Sequence, residues 1–198
     1  MPRATSNFTP PGFTPAALER LDLLVNDMQA VQSKLILLIG LPGAGKTALL
    51  RGLAARRGAE ILAVGAVLGA LLAPLPVKQR GLEANLLLRS LADEYASAEV
   101  LLLDNLELLF DQTLRLDPLD LLKRHAHARR VVAVWPGEIR QERLTHAVLG
   151  HPEYQEYGVE GFVPLEESSN RKLSIDDMLE RYAAGSVLTN FLWYSLLA

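Results

Sequence analysis

KLILLIGLPGAGKTALLRGLAARRG, residues 34–58, holds three structural statements in a row. Residues 34–40 are a nearly unbroken apolar run, the pattern of a strand buried on both faces. Residues 40–47, GLPGAGKT, fit G-x-x-x-x-G-K-[ST], a loop that surrounds phosphate oxygens with backbone N–H groups. The segment after it reads as a helix, with Arg56 and Arg57 in its last turn and Gly58 placed to end it. A buried strand, a glycine loop and a helix N-terminus in this order make an anion site, because the helix end and the loop N–H groups converge on one point.

Working outward, EILAVG (60–65) reads as a second strand, AVLGALLAPLP as a short helix broken by Pro74 and Pro76, and 82–97 as a longer helix. AEVLLLDN (98–105) and RVVAVW (130–135) read as third and fourth buried strands, and GFVPL (161–165) as a short fifth. Between the third and fourth, Asp117, Pro118 and Asp120 open a helix that Lys123, Arg124 and His125 close, matching its dipole at both ends. Strands alternating with helices predict an α/β fold of P-loop NTPase type, a parallel sheet flanked by helices. Ligands of such sheets sit at the carboxyl ends of the strands, where Gly40, Asn105 and Trp135 fall. Residues 1–13 read as disordered and 14–165 as the nucleotide-binding domain, with an N-terminal helix from Thr14 and Pro15 to about Gln32. Residues 166–198 read as a linker and helical tail, with a helix at 175–184 between Ser174 and Gly185.

The candidate nucleotide-binding residues are Gly40, Leu41, Pro42, Gly43, Ala44, Gly45, Lys46, Thr47 and Ala48, with ATP as the expected ligand. Lys46 would supply charge to the β- and γ-phosphates and the Thr47 hydroxyl would ligate Mg²⁺. Asp104, at the end of the third strand, is the second candidate for Mg²⁺, held through water; the plainer reading is a capping or loop-bonding aspartate. Many P-loop ATPases follow that aspartate with a glutamate, but this chain has Asn105, whose amide can orient water and cannot take its proton. Glu107 and Glu138 remain as candidate bases, and Arg140 and Arg143 as candidate arginine fingers, against the plainer reading of a solvated loop acid and a solvated helix face.

Composition narrows the classes. Of 198 residues 49% are apolar, enough for a core, and 20 basic against 23 acidic side chains leave a net charge of -3, which does not suggest a general polyanion binder. Cysteine is absent, which excludes disulfides, thiol catalysis and cysteine-ligated zinc. His146 and His151 are not at metal-ligand spacing. The basic run Lys123, Arg124, His125, His127, Arg129 and Arg130 lies away from the phosphate side; dipole pairing and solvation read more plainly there than DNA contact. MPRATSNFTPPGFTP has no apolar signal segment, and VLTNFLWYSLLA (187–198) is short of a membrane span, so a cytoplasmic protein without membrane partners is expected. That terminal cluster reads either as core packing or as a partner-docking segment.

GLPGAGKTALLRGLA, LLLDNLELLFD, LDPLDLLKR, VVAVWPGE and GHPEYQEY occur in this order, and together they resemble the BrxF family, small AAA-like P-loop proteins of type 3 BREX anti-phage defence systems. The resemblance covers residues 34–165. It implies an ATP-binding component encoded beside a larger P-loop protein, an adenine methyltransferase, a helicase and a phosphatase-like protein. Against AAA-type ATPases in general, Asn105 replaces a glutamate, Trp135 stands where a polar sensor is expected, and no full helical lid follows the fifth strand. The expected activity is therefore that of a nucleotide-dependent switch or assembly subunit with weak or partner-dependent hydrolysis. The rivals are an autonomous ATPase active as a homo-oligomer, a small-molecule phosphotransferase, and a scaffold with a structural nucleotide.

Overall fold

The computed structural model describes residues 15–27, 34–40, 42–96 and 100–166. The described strands are β1 (Leu35–Ile39), β2 (Ile61–Ala63), β3 (Val100–Asp104), β4 (Arg130–Val134), β5 (Ile139–Arg140), β6 (Arg143–His146), β7 (Gln155–Gly158) and β8 (Val163–Glu166). Five of them form a parallel sheet in the order β2-β3-β4-β1-β8. The helices are α1 (Pro15–Asp27), α2 (Lys46–Arg57), α3 (Val64–Leu72), α4 (Val77–Tyr95) and α5 (Pro118–Ala128), with a 3₁₀ turn over Leu106–Phe110. The fold is α/β, a parallel sheet flanked by helices, as the alternation of elements predicts.

Strand period sorts the core into two layers. Ile36, Leu38, Leu102, Val132 and Val134 face one side of the sheet, where Leu21 and Val25 of α1 and Leu49, Leu50 and Leu53 of α2 cover them. Leu35, Leu37, Leu101, Leu103, Val131 and Ala133 face the other, packed with Leu68 of α3, Leu88 and Leu91 of α4 and Leu122 of α5. All five residues of β1 and of β4 are buried, which is why those strands read as continuous apolar runs. α1 is bound into this body: Arg57 Nε donates to Asp22 Oδ1 at 2.8 Å, and its Nη2 donates to the Asp22 carbonyl at 2.9 Å and to Asn26 Oδ1 at 2.8 Å.

Three elements differ from expectation. The stretch 60–65 is a strand only to Ala63, and the chain enters α3 at Val64, because the Gly65 N–H donates to the Asn105 carbonyl at 2.8 Å instead of continuing a ladder. α4 begins at Val77, earlier than 82, because Pro76 is its N-cap residue and a proline at a helix start sacrifices no bond. The expected extension of α1 to Gln32 and its Thr14 cap lie outside the described residues, as do Leu41, residues 1–13 and the tail helix at 175–184. The chain divides into one unit through Glu167 and a second from Ser168 to Ala198.

The third difference is a whole antiparallel sheet, β5-β6-β7, between β4 and β8. Arg140 and Arg143 lie on its first hairpin and not on a helix. They flank a two-residue turn, Gln141 and Glu142, both at positive φ (48° and 61°), as a type I′ hairpin turn requires. Asn-Gly is the usual sequence there, so the hairpin is invisible to pattern reading, and the two side chains hold a strained backbone. Replacing Gln141-Glu142 by Asn-Gly is expected to stabilise the protein by about 1 kcal/mol, read as a higher Tm by thermal melting.

Candidate functional site

The candidate phosphate loop lies between a buried strand and a helix. β1 ends at Ile39, the loop turns through Gly43 (φ 84°) and Gly45 (φ 83°), and α2 starts at Lys46. A Cβ at Gly43 would meet no atom within 4 Å, so glycine is needed there for its backbone conformation, not for space. Pro42 and Gly43 are exposed and Ala44 is buried beneath the loop. Lys46 Nζ donates to the Gly40 carbonyl, which folds its ammonium back over the loop. Thr47 is half-buried and Ala48 exposed on the first turn of α2.

Sheet register places Asp104 relative to this loop. Leu37 of β1 and Leu103 of β3 both pair with Ala133 of β4, so Asp104 lies level with Leu38, just below the loop. One strand separates them, a lateral distance of ~10 Å between backbones, which a hydrated cation and phosphate oxygens can fill. The Asn105 N–H donates to Asp104 Oδ1 at 2.9 Å and leaves the second carboxylate oxygen for the water shell of a metal. These residue types suit Mg²⁺, whose site keeps waters and phosphate oxygens and needs few protein ligands. Among the described residues no group of three His, Cys, Asp or Glu is placed to hold a metal by itself.

Asn105 has a backbone reason for its identity. It adopts the left-handed conformation, φ 58° and ψ 55°, which asparagine tolerates better than glutamate. Its side chain lies against α3: a Cβ at Gly65 would fall 2.0 Å from Asn105 Oδ1 and 3.1 Å from its carbonyl oxygen. Because β2 and α3 flank β3 on the side opposite β4 and β1, the amide turns away from the phosphate loop. Asn105→Gly is therefore expected to hold the melting temperature nearly constant. Asn105→Glu, which introduces the acid that many P-loop ATPases carry at this point, is expected to lose ~1 kcal/mol, about 2–4 °C in Tm. Equal melting of the two variants would refute the backbone explanation.

The other candidate residues are dispersed. Glu107 is exposed on the 3₁₀ turn. Glu138 Oε1 pairs with Arg140 Nη2 at 2.7 Å, and Arg143 Nε lies 3.9 Å from Glu156 Oε2. Both arginines are exposed, and surface pairs of this kind are worth only ~0–1 kcal/mol, so neither arginine is held firmly by its carboxylate.

Trp135 is structural. It is fully buried, its Nε1–H donates to the Thr145 carbonyl at 2.8 Å, and its ring meets Phe110 and Tyr157 edge-on, with centroids at 5.2 and 5.5 Å. His146 stacks on Phe110 and its Nδ1 donates to the Pro136 carbonyl at 2.8 Å. A Cβ at Gly137 would lie 1.8 Å from the Thr145 carbonyl oxygen. Thus Trp135-Pro136-Gly137 fastens the antiparallel sheet to the end of β4, and Phe110 links it to the turn that follows Asp104. The motif was visible in sequence, but its contacts with residues 145, 146 and 157 were not.

The basic run is largely consumed within the chain. Arg124 pairs with Asp120, Arg129 with Asp93 and the Ala92 carbonyl, and buried Arg130 donates to the Val25 carbonyl at 3.2 Å. The hydrogen bond from Arg129 holds the Asp93 carboxyl below its ordinary range. Burial holds His125 below the usual imidazole range, so it adds little positive charge near neutral pH. This surface offers no continuous row of unpaired cations for a nucleic-acid backbone.

No family model matches the chain, and neither does any curated protein. Among solved structures it is similar to C. elegans PCH-2, with 19% identity and a TM-score of 0.34, over 64% of this chain and 37% of that one. The chain thus spans well under half the length of that protein. Among the described residues, no helix is long and apolar enough to cross a membrane.

Proposed function

We propose that this protein is an ATP- and Mg²⁺-binding component of a bacterial anti-phage defence complex of the BREX type, acting in the cytoplasm as a nucleotide-dependent switch or assembly subunit. The observation that carries the nucleotide is the loop 40–47 itself: two glycines at positive φ, the N-terminus of α2 and the Lys46 ammonium converge at the end of β1, with Asp104 level with it across the sheet. The resemblance of residues 34–165 to the BrxF family supports the pathway and the partners: the larger P-loop protein, the methyltransferase, the helicase and the phosphatase-like protein.

The chain's own residues divide the work. Loop N–H groups and Lys46 bind phosphate, Thr47 and Asp104 orient the hydrated metal, and bound Mg²⁺ supplies charge neutralisation on the phosphates. No carboxylate follows Asp104 directly, which supports slow or partner-dependent turnover. The route from nucleotide to the antiparallel sheet is short: Asp104 leads through the 3₁₀ turn to Phe110, and Phe110 touches Trp135, just after β4, and His146 of β6.

Asp104→Asn tests the metal assignment. ATP affinity measured by calorimetry is expected to fall about tenfold with Mg²⁺ present, ~1.4 kcal/mol, and to stay constant in EDTA. An equal fall in both conditions would make Asp104 a structural residue.

A further inference from the structure

Two exposed helix stripes carry complementary patterns. On α4, Lys78, Leu82, Leu86 and Arg89 recur on one face, and the leucines are 77% and 63% exposed although buried Ala84, Leu88, Leu91 and Ala92 hold the opposite face to the core. On α1, Glu19, Leu23 and Asp27 recur at i, i+4 and i+8, with Leu23 62% exposed and Leu21 and Val25 turned inward. One stripe is base-apolar-base and the other acid-apolar-acid. Glu19, Asp27 and Lys78 are in no ion pair with another described residue.

The spacings match. At 1.5 Å per residue, Glu19 and Asp27 stand ~6 Å on either side of Leu23, and Lys78 and Arg89 stand ~8–9 Å on either side of the midpoint between Leu82 and Leu86. Leu23 can therefore seat between the two leucines as a knob between ridges, while the long basic side chains close the remaining gap to the carboxylates. The two helices cannot meet within one chain, because α1 covers the Ile36–Leu38 side of the sheet and α4 the Leu35–Leu37 side.

We infer that α1 of one copy of this chain docks on α4 of a second copy, giving a head-to-tail contact. Such a contact leaves one unsatisfied stripe at each end, so it propagates until a ring closes or a short filament forms. The contact is small, so assembly should depend on concentration and weaken with salt.

Sedimentation of the full chain without nucleotide tests this independently of the nucleotide reading. Wild type is expected to show mass rising with concentration. Leu23→Asp and Leu82→Asp should each be monomeric, and their equimolar mixture should give a dimer that grows no further, since each variant keeps one working stripe. Should either aspartate variant misfold by circular dichroism, Lys78→Glu/Arg89→Glu and Glu19→Lys/Asp27→Lys replace them: each alone should lose association, and their mixture should regain it, through the unaltered acidic α1 on the unaltered basic α4 and through the swapped pair. A wild type that stays monomeric at its highest soluble concentration overturns the inference. So does association that the variants leave unchanged, and so does a mixture that stays monomeric.

Discussion

Lys46→Ala should lose about 100- to 1,000-fold in Mg-ATP affinity, ~3–4 kcal/mol, while its melting temperature in the absence of nucleotide stays near that of wild type. The ammonium is the one full positive charge that the loop 40–47 brings to the phosphates, whereas backbone N–H groups contribute partial charges. Its bond to the Gly40 carbonyl links two ends of one loop and not the loop to the core. The half-buried α2 turn keeps its register through the Leu49 N–H, which donates to the Gly45 carbonyl at 2.9 Å. Calorimetry with Mg-ATP checks the affinity and a thermal melt checks the fold. Unchanged affinity would remove the nucleotide assignment, and with it the role given to Asp104.

Trp135→Ala should destabilise the protein by ~3–5 kcal/mol, the cost of emptying a fully buried aromatic site. The indole fills the space among Phe110, Tyr157 and Thr145, and its loss also leaves the buried Thr145 carbonyl without the indole donor. For a domain of this size the expected fall in Tm is about 10 °C or more. Trp135→Phe restores much of the volume but not the N–H, so it should fall between the two; urea denaturation of the three proteins gives the order. A Trp135→Ala protein as stable as wild type would show that the antiparallel sheet is not fastened through this side chain.

Much of the fold is legible along the chain because its signals are local. Residues 35–39, 100–103 and 131–134 are apolar on both strand faces, the pattern of strands covered on both sides. Asp117 caps α5 with its side chain on the Asp120 N–H at 2.9 Å, and Gly58 ends α2 in the left-handed conformation. These are interactions between residues a few positions apart, so spacing alone encodes them. The phosphate loop belongs to the same class, since its glycines, lysine and threonine act through one continuous turn.

What tertiary structure decided depends on residues far apart in sequence. The strand order sets β4 between the phosphate loop and Asp104, and nothing in either motif states it. The identity of Asn105 looks like a catalytic defect in one dimension. In three dimensions it answers a left-handed backbone and the close approach of Gly65, forty residues earlier in the chain. The β5-β6-β7 sheet carries no local signal at its first turn, because Gln141-Glu142 are not the usual residues of such a turn. It holds because Trp135, Phe110, His146 and Tyr157 pack together, and burial of that cluster offsets the local strain. Short-range chemistry determines which elements form and places the glycine loop between β1 and α2. Long-range packing determines which neighbours each strand end acquires, because apolar burial is non-directional and is resolved only when the whole core assembles.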